Sequence, residues 1–195
     1  MSTKPHSIIS LLLFSLLTGC SQQQPPQLCT LLQREHVWSQ YQHHTKNKLS
    51  TILAIIQHES GFRSNARPVK SWLVPGLIPW EHHSSAYGFS QAIASTWQEF
   101  KAENPGLHQR ESYYSSVLFI DWYLSKYKKY IPVNKRNHPY ELYLLYHEGP
   151  TAYQQTHRIS KATKNYAAKV AATARKFEGE LKTCHLQWQN EWRSL

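Results

Sequence analysis

IIQHESGFRSNA, Ile55 to Ala66, is the stretch on which the reading of this chain turns. Leu49, Ile52, Leu53 and Ile56 recur at i, i+3, i+4 and i+7, one stripe of an α-helix. Glu59 stands three residues after Ile56 and seven after Ile52, so it continues that stripe. A carboxylate there loses solvation, which favours its protonated form, and a protonated carboxyl can act as a general acid toward an oxygen leaving group. Gly61 can then end the helix in a left-handed conformation and open a cleft wall beside the acid. The competing reading is a helix-end glutamate that reaches water or pairs with Arg63.

The pattern outside this stretch is almost all helical. Ser95-Thr96-Trp97-Gln98 has the form of a capping box and predicts a helix that stops near Asn104-Pro105-Gly106. Val117, Ile120, Leu124 and Tyr127 mark a helix from Ser112 to about Lys129. Pro139 suits the first turn of a helix running to His147 and ending at Gly149-Pro150. Lys161 to Glu178 is alanine-rich, with Tyr166, Val170 and Phe177 roughly on one face, and an N-terminal helix is expected around Thr30 to Gln42. The exception is Arg67 to Ser85, RPVKSWLVPGLIPWEHHSS, whose three prolines, one glycine and two tryptophans exclude a long helix. An extended loop with room for a short β-hairpin is expected, and loops of that length in compact domains usually carry function.

Met1 to Ser7 carry one lysine and no acid, and Ile8 to Leu17 form a short apolar run before Leu17-Thr18-Gly19-Cys20. That is the form of a secretory signal and too short for a spanning helix. The ending resembles the bacterial lipobox, which implies cleavage before Cys20 and acylation of its thiol. Ser21 in the next position implies the outer membrane. Residues 20–28 then make a lipidated, polar and proline-bearing tether, and residues 29–195 one domain with a real core. Cys29 and Cys184 remain near the ends of that domain. In an exported protein they read as a disulfide, with two free buried thiols as the alternative. The formal charge is +10, from 22 Lys+Arg against 12 Asp+Glu, which suits an anionic partner. No zinc spacing, RNP-like segment or basic heptad is present, so nucleic acid is not the expected partner. His82-His83 is not a metal site by spacing alone, and no metal is expected.

Glu59-Ser60-Gly61-Phe62 with Asn65-Ala66 resembles the first signature of the soluble-lytic-type lytic transglycosylases, whose domain is related to goose-type lysozyme. Gly88-Phe89-Ser90-Gln91 stands where that family has Gly-Leu-Met-Gln, and Leu145-Tyr146-His147-Glu148-Gly149 where it has Ala-Tyr-Asn-x-Gly. Tyr166-Ala167-Ala168-Lys169-Val170 matches the C-terminal Tyr-Val-x-x-Val loosely. Order and spacing agree from about Lys48 to Val170.

The resemblance implies a mainly α, lysozyme-like domain with the long Pro/Trp-rich loop beside its cleft. It implies cleavage of the β-1,4 bond between N-acetylmuramic acid and N-acetylglucosamine in peptidoglycan. Glu59 is the single acid, then the base toward the muramoyl 6-hydroxyl as a 1,6-anhydro ring closes, and no cofactor is required. Ser60 would orient substrate or acid, Gln91 would bond a sugar, and Gly88, beside Phe89, would let the backbone approach it. Tyr146 and Tyr166 would aim hydroxyls at Glu59. His147 stands at the family's asparagine. Trp72 and Trp80 either line glycan subsites or pin the loop to the core, while Glu148 is expected to face solvent. The only aspartate, Asp121, lies in a helix far from any motif. Two other readings stay open: a goose-lysozyme-like hydrolase with Glu81 or Glu148 as helper acid, and a non-catalytic peptidoglycan-binding module. Expected partners are glycan strands, a membrane through Cys20, and an envelope-spanning secretion machine. The expected location is the periplasmic side of the outer membrane.

Overall fold

The computed structural model describes residues 28–29, 45–68, 71–74, 78–80 and 84–193. Helix α1, Leu49–Ser60, is the axis of the domain. Ile52 through Ile56 are all fully buried, so the helix is enclosed on every side at its middle rather than along the single stripe that the spacing predicts. Ile55 and Ala54 account for the difference: both are apolar, and other elements pack over them. Gly61 ends the helix with φ +59°, its N–H donating to Gln57 O at 3.0 Å, as the sequence predicts.

The chain enters α1 through a clamp. Asp121 is buried and its carboxylate accepts from the Lys46 and Asn47 backbone N–H groups and from Asn47 Nδ2, at 3.0, 2.8 and 2.8 Å. The single aspartate is therefore a structural anchor that ties the start of α1 to a helix more than seventy residues away.

After α1, strands β1 (Ser71–Val74) and β2 (Ile78–Trp80) pair antiparallel, with Ser71 opposite Trp80 and Val74 opposite Ile78. Helix α2, Ala94–Glu103, begins one residue before the expected capping box and takes no cap from it. Its first N–H is satisfied by Ser85 Oγ at 2.9 Å, from the preceding loop. Helix α3, Tyr113–Tyr127, is capped by Ser112, whose Oγ accepts from Ser115 N at 3.2 Å. Helix α4, Pro139–Tyr153, has Pro139 in its first turn and breaks at Gly149 (φ +77°, ψ 165°) before Pro150 starts a last short turn. Helix α5, Lys161–Arg193, runs well past the expected end at Glu178. It packs along α1 and α4 through Ala167, Val170, Ala171, Ala174 and Phe177. Tyr166, placed by spacing on the same face, stays more than a third exposed.

The core is aromatic on the α2–α3 side, where Trp97, Phe100 and Phe119 meet at centroid distances of 5.2–5.5 Å. Cys29 and Cys184 are bonded across 155 residues, fixing the start of the domain to α5. The observed fold is thus the expected mainly helical, lysozyme-like domain. Among the described residues no helix is long and apolar enough to cross a membrane. Cys20 and the expected helix around Thr30 to Gln42 lie outside the described residues.

Candidate active site

Helix α1 delivers Glu59 one position before its end, and Gly61 turns the chain away immediately afterwards. The Glu59 side chain is 16% exposed. Its Oε1 is buried and has no hydrogen-bond partner among the described residues. A polar atom left this way is costly in a finished core.

Glu59 lines a cleft of about 470 Å³, within the range of small-ligand sites. Helix α4 contributes Tyr146, His147 and Glu148 up to the Gly149 break, and α3 contributes Phe119 and Tyr123. Ala86, Gln91, Ala92 and Ile93 form the opposite wall. Exposed Ile93 and the rings of Phe119 and Tyr123 give it apolar faces on which a sugar ring can lie.

His147 is an ionisable neighbour of the acid, with Nδ1 3.9 Å from Glu59 Oε1 and its side chain about half exposed. Its ring stacks on Tyr143 at 5.5 Å, and Tyr143 Oη lies 3.4 Å from the same Nδ1. The Glu59 carboxylate holds the imidazole above the ordinary histidine pKa against the opposing effect of burial, and Glu148 adds to the pull. Burial raises the phenols of Tyr143 and Tyr146, with the Glu59 charge pushing the same way. Burial pushes Tyr123 up to about 12. The tyrosines therefore stay neutral donors at working pH.

The wall opposite α4 is held by its own hydrogen bonds. Gln91, at φ +50°, donates from Nε2 to Ala66 O and Gly88 O at 2.9 and 2.8 Å. Gln91 itself lines the cleft. Tyr146 Oη donates to Ser90 O at 2.6 Å. Arg110 ties the turn from outside, donating from Nη1 to Ser85 O and Ala92 O.

Glu59, Gln91, Tyr146 and His147 thus meet in one cleft, whereas Ser60, Gly88, Phe89 and Tyr166 do not line it. Ser60 is buried, and its hydroxyl donates back to Ile56 O at 3.0 Å inside its own helix. Gly88 makes room for the chain itself: a Cβ there would stand 2.2 Å from Arg110 O. Phe89 is a core residue packed edge-on against Tyr113 at 5.4 Å. The expectation that tyrosine hydroxyls aim at Glu59 is corrected too. Tyr146 donates to Ser90 O, and Tyr166 donates to His58 O at 3.1 Å. Tyr166 instead borders a separate cavity of about 720 Å³ with His58, Phe62 and Lys176, which Glu59 does not line. Glu148, expected in solvent, is partly buried in the cleft wall. Tyr143 was not singled out in the sequence, although its i, i+4 relation to His147 puts the two on one face.

Trp72 and Trp80 fall on the paired strands, with Trp80 opposite Ser71, while Glu81, His82 and His83 lie outside the described residues. Among the described residues no group of three His, Cys, Asp or Glu side chains is placed to hold a metal ion.

A family model described as the transglycosylase SLT domain matches residues 8–184. The chain belongs to that family. Comparison with curated proteins and with solved structures finds no match. Membership in the transglycosylase SLT family brings peptidoglycan as the substrate class and lytic-transglycosylase chemistry in general. In this SLT domain, Glu59 is a largely buried carboxyl group that lines the cleft between α1 and α4.

Proposed function

We propose that the protein is a peptidoglycan lytic transglycosylase in which Glu59 is the single general acid and base. The supporting observation is the buried, unpartnered Glu59 Oε1 in a cleft that Gln91, Tyr146 and His147 also line. Glu59 gives its proton to the oxygen that leaves with N-acetylglucosamine as the C1–O4 bond breaks. The resulting carboxylate takes the proton of the muramoyl 6-hydroxyl as C1–O6 forms, which regenerates the acid and yields the 1,6-anhydro end. Water is not the acceptor, so no second carboxylate is needed to activate it.

The test is mass spectrometry of sacculi digested by wild type and by Glu59→Gln. Wild type is expected to release anhydro-muropeptides, and the variant to lose about a hundredfold or more of that release. Equal release would leave a non-catalytic binding module.

A second reading has an observation of its own: Glu148 lines the same cleft. A base there that activates water makes the protein a hydrolase. Reducing ends in place of anhydro ends, lowered by Glu148→Gln, would establish that reading.

We further infer an export route and an anchor for the domain. Residues 1–19 direct export, Cys20 is acylated after cleavage, and residues 20–28 tether the domain to the periplasmic face of the outer membrane. Each buried CH₂ contributes roughly 0.8 kcal/mol, so several acyl chains hold the protein durably. There it serves wall turnover or opens the wall for an envelope-spanning secretion machine. Cys20→Ala is expected to move the protein out of the membrane fraction; unchanged fractionation would refute the anchor.

A further inference from the structure

His147 stands at the position where the resemblance has an asparagine, and its surroundings suit a charge rather than an amide. Among the described residues lining the Glu59 cleft there is no lysine or arginine, while two carboxylates, Glu59 and Glu148, border it. Among the described lining residues, the imidazole is the group able to carry a positive charge. Its Nδ1 faces the buried Glu59 Oε1 at 3.9 Å, about one ångström beyond a hydrogen bond. The ring is held at that spot by stacking on Tyr143. It also occupies the last turn before the Gly149 break, where the helix dipole favours a cation.

The geometry points to His147 as the proton-holding partner of Glu59: imidazole and carboxyl form one couple that keeps in the cleft the proton Glu59 delivers. This deepens the transglycosylase reading and rests on it. With one proton on the couple, the proton resides on Nδ1 or on the Glu59 carboxyl, and its loss belongs to the pair rather than to either group. As C1–O4 breaks, Glu59 passes the proton to O4. As C1–O6 forms, the O6 proton returns to the couple, so the cycle closes with no proton gained or lost. His147 touches no reacting atom and is a positioning residue.

The groups facing the imidazole are Glu59 from α1 and Tyr143 and Glu148 from α4. Tyr123 of α3 borders the same cleft, and Tyr166 of α5 packs behind Tyr143 at 5.8 Å. The tyrosines stay neutral, so among the described residues Glu59 and Glu148 are the charges that act on the imidazole. Of the two, Glu59 has the larger influence on His147.

Two measurements on the full chain test the couple. The first is the pH profile of anhydro-end release at low substrate, which reports groups of the free enzyme. His147→Asn is expected to move the midpoint of the alkaline limb down by about half a pH unit or more. The second is the NMR titration of the His147 ring, expected to fall by about as much in Glu59→Gln. The second readout needs no activity and no change at position 147, so it stands even if His147→Asn fails to fold. An unchanged limb in a folded His147→Asn, or a ring that titrates identically with and without the Glu59 charge, overturns the couple. Wild type that releases no anhydro ends at any pH overturns the transglycosylase reading instead, and the ring titration then still decides whether the two groups are coupled.

Discussion

Replacing Gly88 by alanine puts a number on what that glycine does. Gly88 and Gly61 both have positive φ, +79° and +59°, so alanine costs about 1–2 kcal/mol of left-handed backbone strain at either position. They differ in what surrounds them. A Cβ at Gly61 meets nothing within 4 Å, whereas one at Gly88 meets Arg110 O at 2.2 Å and Arg110 C at 2.8 Å. Those are backbone atoms of a residue whose side chain also ties the turn, so they cannot simply swing aside. Overpacking of this kind adds about 1–3 kcal/mol, bringing Gly88→Ala to about 2–5 kcal/mol. For a domain of this size each kcal/mol lowers Tm by about 2–4 °C. Gly61→Ala should therefore lose about 2–8 °C and Gly88→Ala about 4–20 °C, measured by calorimetry or circular dichroism on the oxidised protein. Gly88→Ala should also weaken substrate binding, because Gln91 Nε2 is held partly by Gly88 O. Equal losses for the two variants would show that the Arg110 approach carries no strain and would return Gly88 to the role of accommodating substrate.

Other expectations follow from the same geometry. Asp121→Ala strands the buried Asn47 N–H, removes the acceptor of the part-buried Lys46 N–H and one acceptor of Asn47 Nδ2, and should cost about 2–3 kcal/mol in urea denaturation, while Asp121→Asn, which keeps one acceptor, should cost about half of that. Equal costs would show that acceptor count is not what matters there. Reducing Cys29–Cys184 reopens a loop of 155 residues and should lower stability by up to about 5 kcal/mol, read as a fall in Tm on adding reductant. Tyr146→Phe removes the donor to Ser90 O and should destabilise by about 1–2 kcal/mol, detectable in the same urea assay; no change would mean that water replaces the hydroxyl.

The elements legible in the sequence are those whose signals are local. Helix α1 follows from its apolar spacing, its end from Gly61, and the shape of α4 from Pro139 and Gly149-Pro150. The meeting of Glu59, Gln91, Tyr146 and His147 follows from motif order, because the family's helices bring those motifs together. What was not legible depends on groups across the fold. The cap on α2 comes from Ser85, nine residues before the N–H it satisfies, so the Ser95 pattern pointed to the wrong residue. Gly88 is explained by Arg110, twenty-two residues on, and the Tyr166 hydroxyl by a carbonyl on α1. A motif can say that such residues recur together without saying whether they face a sugar or their own backbone. Ser60, Phe89 and Gly88 turned out to face the protein.

The cross-link between Cys29 and Cys184 also has a mechanical consequence. A pull arriving along the chain from its N-terminal side reaches residue 29 and passes through two sulfur atoms into the long C-terminal helix. The short rod bearing Glu59 is thereby shielded from most of that tension. Were the domain leashed at that end, as proposed, a drag along the tether would reach the long helix before the rod that carries Glu59.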